Sequence, residues 1–324
     1  MSKQIFIRII TWLGIMAGLT LLAMGVWLLV FHGSQTTASL KWLQLLQTIG
    51  TFLLPPILCA WMWDETRHPF RWLGLSHQPS AVSRQHSAVL VLLAVGIMIC
   101  AMPGINLLVD LNGRIELPES LDFIEQKLQA MEAAAAALTE RFLQADNAGQ
   151  LLLNIGLMAL LPALAEEMSF RGTLQQLLAV RSQPSAIRSQ PSVVSHTAIW
   201  VTAIVFSAIH MQFYGFIPRM LMGAMFGYIF VWSGSLWFPI LMHFTNNCAA
   251  VLAAFSIQHS VFRCQPPEVS QQNIADTIGA GDTWWLGVTS ILITSLGLLI
   301  FYRRTHIQSH ACAYGCPVAA EQES

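Results

Sequence analysis

Eight apolar runs, at roughly 9–31, 43–63, 88–109, 151–180, 197–213, 219–233, 236–257 and 284–302, set the rhythm of the chain. Most reach the roughly 17–25 residues that an α-helix needs to cross a hydrocarbon core. The pattern predicts an all-α, polytopic membrane helical bundle of about eight transmembrane helices. The run 9–31 is too long for a signal-peptide core and has no small-residue cleavage site, so it reads as a retained first span. Between the third and fourth runs, 113–150 carries another rhythm. Leu121, Ile124, Leu128, Met131, Ala135, Leu138 and Phe142 recur at steps of three and four, which makes one apolar stripe on a helix. Ser120 is placed to cap it, with Asp122 in the first turn. A helix lying on the bundle or in the lipid interface is expected; a lid over the outer face is the functional alternative.

Composition agrees with this pattern. Hydrophobic residues make up 55% of the 324 and charged ones only 10%, against about 25% charged in a soluble domain. A soluble enzyme, a disordered tail and a disulfide-rich module are excluded. The net charge of -1 offers nucleic acid no basic footprint, which leaves the lipid bilayer as the first partner. Cys59, Cys100 and Cys248 fall in apolar runs and are expected to pack as small hydrophobes. Cys264 falls in a loop. Cys312 and Cys316, near His306 and His310, lie in a tail with too few large apolar residues to fold it around an ion. A repeated RSQPS in 181–192 reads as a linker.

Positive charge sets orientation. With the N-terminus in the cytoplasm, Lys3, Arg8, Arg67, Arg71, Arg84, Arg181, Arg188, Arg303 and Arg304 all fall inside, nine of sixteen basic residues. The outer stretch 113–150 then holds seven acids and three bases, and eight spans return the C-terminus to the cytoplasm. The expected organisation is three N-terminal spans (1–112), an extracytoplasmic loop with an amphipathic helix (113–150), a core (151–257), a loop with the last span (258–304) and a cytoplasmic tail (305–324). In a bacterium such a multi-pass protein would sit in the plasma (inner) membrane.

Ionisable side chains within spans cost several kcal/mol by insertion scales, so each needs a reason. They cluster in the second half of the chain. Glu167 and Arg171, four apart, face each other and form an expected structural ion pair. Glu166 is rotated about 100° from Glu167 and stays outside that pair. Phe206 and His210 share a face, which lets the ring orient the imidazole. His243 and Asn247 share another. One carboxylate, two imidazoles and a carboxamide can thus converge between three helices. The carboxylate suits a general base toward water, and imidazole and amide groups suit donors to an oxyanion. Glu166, His210 and His243 also form a zinc-type ligand set, so the residues leave open whether a divalent metal or no cofactor is used.

Glu166-Glu167-x-x-x-Arg171, Phe206-x-x-x-His210 and His243-x-x-x-Asn247, in that order and each on an apolar helix, resemble the three motifs of the CAAX-protease and bacteriocin-processing (CPBP, or Abi) family. One branch resembles the type II CAAX prenyl endopeptidases. Gly234-Ser235-Leu236-Trp237-Phe238-Pro239-Ile240 resembles the family's approach to its third motif, and the likeness covers roughly 150–255. It implies an intramembrane endopeptidase acting on a membrane-associated protein or peptide. It also implies that Glu166 and His210 activate water while His243 and Asn247 stabilise the oxyanion, by glutamate-type or metal-dependent chemistry. The alternatives are a non-catalytic bacteriocin-immunity or scaffold protein and a proton-coupled transporter. A carrier shows two related halves, whereas here the polar residues occupy one half. No His-Glu-x-x-His of a zinc protease is present. Straight helices would leave His210 and His243 about 10 Å apart in depth, a mismatch that tilting or a dip in 211–218 would have to close.

Overall fold

The computed structural model describes residues 3–76, 84–179, 195–259 and 278–314, without the side chains of 84–87 and 306–314. The RSQPS linker, Cys264 and the His306, His310, Cys312 and Cys316 side chains lie outside this set. The described elements are helices: α1 (Lys3–Phe31), α2 (Thr37–Trp63), α3 (Ala88–Gly113), α4 (Asp122–Leu143), α5 (Ala148–Ala179), α6 (His196–Ala208), α7 (Phe216–Ser233), α8 (Trp237–His259) and α9 (Gly281–Thr305). Seven of them, all but α4 and α6, are long and apolar enough to cross a membrane. The chain is an all-α, integral-membrane bundle, as the apolar pattern predicts.

The fifth predicted span needs correcting. α6 has 13 residues, about 20 Å against a core of about 30 Å. It stops at Ala208, and the chain turns through Met211, whose φ of 55° is left-handed, a conformation uncommon outside glycine. Ser207 Oγ donates to the carbonyl of Phe216, 2.7 Å away, and stitches the turn to the start of α7. His210 therefore ends inside the bundle rather than at its outer edge.

α5 is central. It packs on α2 and α8 along its length, and its C-terminal half meets α6 and α7. α3 and α9 form a second tight pair against α7 and α8. Gly104 sits at their contact: its N–H donates to Ser290 Oγ at 2.9 Å, and a Cβ there would come within 2.9 Å of Ile291. Two spans open into a π-helical turn just before proline, Thr48–Leu53 ahead of Pro55 and Pro56, and Ile155–Leu160 ahead of Pro162. A proline lacks the N–H and crowds the carbonyl one turn back, and the wider turn accommodates that misfit. A third π turn, Phe170–Gln175, has no proline and begins three residues after Glu167.

The stripe in 113–150 does fold as a helix, but Ser120 does not cap it. Glu119–Leu121 form a 3₁₀ turn, and no side chain caps α4 at Leu121. α4 is 22 residues, about 33 Å long. From its N-terminal end to its middle, Glu125 Oε1 accepts from the Tyr214 hydroxyl and Glu132 Oε2 from the Tyr214 N–H, each at 3.4 Å. Beyond its C-terminal end, the Ala145 N–H donates to Gln258 Oε1 at 3.1 Å. The helix thus runs alongside the bundle from the 209–215 turn to the end of α8. Only Phe142 of its stripe is buried; Leu128, Met131 and Ala135 are half-buried. Of the three described cysteines, Cys59 is buried as expected, Cys248 is half-buried and Cys100 is exposed.

α5 approaches α7 closely because position 227 has no side chain. Gln175 Nε2 donates to the Gly227 carbonyl at 3.2 Å. A Cβ on Gly227 would stand 2.7 Å from Gln175 Oε1 and 2.9 Å from Ile199 Cγ2. Overpacking of this kind costs about 1–3 kcal/mol, more than the roughly 1 kcal/mol that alanine gains over glycine in a helix. Gly227→Ala should therefore lower the melting temperature in detergent. An unchanged or higher value would show that this contact opens freely.

Candidate active site

Helical spacing brings Glu167 and Arg171 together first. Arg171 Nη1 donates to Glu167 Oε1 at 2.7 Å, with both side chains wholly buried. The second arm of the guanidinium, Nη2, donates to the Gly223 carbonyl of α7 at 2.8 Å. Its plane lies over the rings of Phe206 and Phe226, 4.5 and 5.4 Å from their centroids. A charge buried this deeply needs such partners, and here it ties α5 to α6 and α7. Gly223 leaves room for this contact: a Cβ there would meet Arg171 Nη2 and Phe206 Cδ1 at 3.2 Å each, and both would have to give by a few tenths of an ångström.

The same carboxylate oxygen reaches a third helix. His243 Nδ1 lies 2.9 Å from Glu167 Oε1, across 76 positions of sequence. An ionised carboxylate only accepts, so the Nδ1 carries the proton. The ring is stacked on Phe226 at 5.4 Å and meets the edge of Phe206 at 6.0 Å. Spacing within α5 assigns Glu167 to Arg171 alone; it also orients His243, a contact that no periodicity within one helix reveals.

His210 is fixed in a parallel way. Its Nδ1 lies 2.7 Å from the Phe206 carbonyl and so is also the protonated nitrogen. The Phe206 ring packs edge-on against it at 5.1 Å, the ring contact anticipated from spacing. Phe206 thus touches Arg171, His210 and His243 at once. The short α6 removes the depth mismatch expected for straight helices.

With both Nδ1 atoms engaged, both Nε2 atoms face Glu166. Its Oε2 is 4.0 Å from His210 Nε2 and 3.9 Å from His243 Nε2. Exposure rises from 5% at His243 to 15% at Glu166 and 28% at His210, so the cluster opens toward the 209–215 turn. Asn247 is one turn beyond His243 on α8, half-buried, and its Oδ1 accepts from Asn246 Nδ2 at 3.2 Å. Glu166, His210 and His243 therefore converge; Asn247 is placed by its position one turn along α8 from His243 and by its bond to Asn246.

Two imidazole lone pairs and a carboxylate around one point form an acceptor-only set that a proton donor or a cation would complete. A water at ordinary hydrogen-bond lengths of about 2.8 Å bridges atoms 3.9–4.0 Å apart without movement. Tetrahedral zinc, with bonds of about 2.0–2.1 Å, draws its ligand atoms to about 3.4 Å of one another. Among the described residues, no group of three His, Cys, Asp or Glu meets the spacing of a metal site. The trio fits a divalent ion in donor chemistry, and its Nδ1–H partners are of the kind that hold metal-ligating histidines. The spacing would have to tighten by about half an ångström.

The fold and this buried cluster define a polytopic membrane protein with a polar Glu/His site inside its bundle. Residues 148–249, roughly a third of the chain, match the family described as Type II CAAX prenyl endopeptidase Rce1-like. The resemblance carried by the three motifs is borne out, and the match supports a membrane endopeptidase, a hydrolase acting on a peptide or protein substrate in the membrane. No curated protein and no solved structure gives a significant match.

The paired contacts of Glu167 make a stability test. Removing one partner of a buried pair strands the other and costs about 3–5 kcal/mol. Glu167→Ala should lower the melting temperature sharply, and adding Arg171→Ala should recover part of it. Because Glu167 also holds His243, the double variant should regain stability without regaining peptide cleavage. Recovery of both would show that the carboxylate matters only as a counter-ion.

Proposed function

We propose that the chain is an intramembrane endopeptidase of the CAAX-processing type, in which Glu166 activates the attacking water. The observation that supports this most is the convergence of both Nε2 atoms on Glu166 Oε2 with both Nδ1 atoms held elsewhere. A water in that space donates one proton toward Glu166 and another toward an imidazole, which leaves its lone pair for a substrate carbonyl. Glu166 takes the proton as the carbon–oxygen bond forms. Before the attack His243 takes a proton from solvent at Nε2, and it returns that proton on product release; as a donor whose charge Glu167 balances, it stabilises the oxyanion with Asn247. His210 sits at the open side and relays the proton to the leaving amine.

This differs in one respect from the roles the motif resemblance implies. Neutral His243 cannot donate from Nε2 while its Nδ1–H is on Glu167, so its oxyanion role follows proton uptake. The second reading, a divalent metal held by Glu166, His210 and His243, is favoured by the Nδ1–H partners of both rings. A bound metal would supply Lewis-acid polarisation of the water or the carbonyl. The fixed orientation of both histidines toward one carboxylate favours an enzyme over a carrier or an inert scaffold. The bias of basic residues to one side supports a cytoplasmic N-terminus; the C-terminus shares that side only where α6 and the turn after it complete an eighth crossing, because seven spans place the termini on opposite sides.

Glu166→Gln keeps shape and hydrogen bonding but removes the base. Cleavage of a prenylated CAAX peptide by the purified protein in detergent should fall at least ~10²-fold, with the melting temperature held. Asn247→Ala should lower kcat by about 10²–10³ rather than raise KM. Near-normal turnover of Glu166→Gln would end this assignment. Full activity of a chelator-washed, metal-free preparation would remove the metal reading and leave the glutamate one.

A further inference from the structure

We infer that an anionic phospholipid of the surrounding bilayer binds in a groove between α2, α5 and α8, with its phosphate at Arg71 and His68 and an acyl chain along α5. The groove, of about 400 Å³, is walled by Leu53 and Ile57 of α2, Leu164 and Met168 of α5 and Trp237 at the start of α8. A second recess, of about 260 Å³, is lined by His68 and Arg71. Phe70 and Ser76 line both, so one continuous space runs from a basic rim into an apolar interior. It lies away from the Glu166 cluster. At about 100° per residue, Leu164 and Met168 each stand about 160° round α5 from Glu166.

The walls are fixed by hydrogen bonds between elements. The Leu236 N–H donates to the Gly74 carbonyl at 3.0 Å, Trp237 Nε1 to the Leu75 carbonyl at 2.8 Å and Gln176 Nε2 to the Trp72 carbonyl at 3.2 Å. The stretch 72–75 is thereby held to α5 and α8. Gly74 has a φ of 82°, left-handed backbone that favours glycine. Upstream, Asp64 Oδ2 accepts from the Thr66 hydroxyl at 2.6 Å and from the His68 N–H at 2.9 Å, which sets the turn that carries His68 and Arg71. With its indole N–H engaged, Trp237 offers the groove its ring. Ser76, at the rim, is the one polar residue among the described residues that line the groove.

Depth and charge select the occupant. Leu53 precedes the ten residues Leu54–Trp63 that end α2, so the groove reaches about 15 Å from that end. A hydrocarbon core is about 30 Å thick, and the groove thus has the depth of one leaflet. In a bilayer the apolar material at hand is the acyl chain, as apolar as leucine. The start of α1 shares this membrane face, because Arg8 lies over the Trp63 ring at 5.5 Å, and Arg67 lies over Trp61 at 5.1 Å. Arg71 and His68 are exposed, and among the described residues neither side chain has a hydrogen-bond or ion-pair partner. Basic recesses between transmembrane helices hold anionic headgroups, and arginine meets a phosphate with two parallel donors. A zwitterionic lipid brings the same chains with an ammonium that Arg71 repels.

The test uses the full chain in an uncharged detergent with phosphatidylglycerol that carries a diazirine in one acyl chain. After irradiation, peptide mapping should place the adduct within 53–57, 164–168 or at Trp237. Unlabelled phosphatidylglycerol should compete at least about fivefold better than phosphatidylcholine with the same chains, the scale of one basic side chain at a membrane surface. Arg71→Gln combined with His68→Gln should bring that preference close to one. Ile57→Trp, which fills the groove, should remove the adduct there. The preference is a ratio within each variant, so differences in yield or folding cancel, and the exposed pair decides the matter even where Ile57→Trp fails to fold. Adducts spread over the lipid-facing sides of α1 and α9 overturn the proposal, as does a preference that survives the Arg71/His68 change. Displacement of the label by an S-farnesyl peptide and not by phosphatidylglycerol overturns it too, and gives the groove to the substrate's tail. No readout requires peptide cleavage, so the result stands apart from the endopeptidase reading.

Discussion

One oxygen atom holds the Glu/His site together. Glu167 Oε1 accepts from Arg171 on its own helix and from His243 on α8, while Arg171 continues to the Gly223 carbonyl on α7. Three helices are joined through a carboxylate and a guanidinium that water does not reach. In a low-dielectric interior such charges persist only when paired, and here the pairing leaves Glu167 Oε2 and Arg171 Nε without a hydrogen-bond partner among the described residues. That demand explains the glycine at 223 and the aromatic walls of Phe206 and Phe226. It also explains why the imidazole of His243 has one orientation.

The neighbouring carboxylate shows the opposite condition. Glu166 differs from Glu167 by one position and about 100° of helix rotation, and that rotation takes it out of the pair. It faces two histidines whose other nitrogens are already occupied, in a space that opens toward the 209–215 turn. Adjacent glutamates thus divide the work. One is neutralised and orients, and the other stands outside the ion pair and is available to water. The short α6 is what lets this happen, since a full-length fifth span would carry His210 away from Glu166.

The route to the site follows from the same economy of length. Because α6 ends early, the turn after it lies within the bundle, and α4 runs beside it through the Tyr214 contacts with Glu125 and Glu132. The polar side chains of the second half of the chain form a gradient from fully buried at Arg171, through Glu166, to His210 at the mouth.

Much of this was legible in the sequence because its causes are local. Apolar runs announce helices, since lipid leaves the backbone no other way to satisfy its hydrogen bonds. The Glu167–Arg171 pair, the separation of Glu166 from it and the Phe206–His210 packing follow from 3.6-residue geometry, and the three motifs supplied their order. Other features were decided only by tertiary contact. The Glu167–His243 bond joins residues on different helices, and no spacing rule relates them. The end of α6 at Ala208 is set by a turn that Ser207 and Phe216 close, where apolar residues continue and hydropathy alone extends the span. The missing cap at Ser120 depends likewise on which chain segment lies alongside. Sequence determines which residues can share a helix face; packing determines which faces meet, and in this protein it is the meeting of faces that assigns each imidazole its proton.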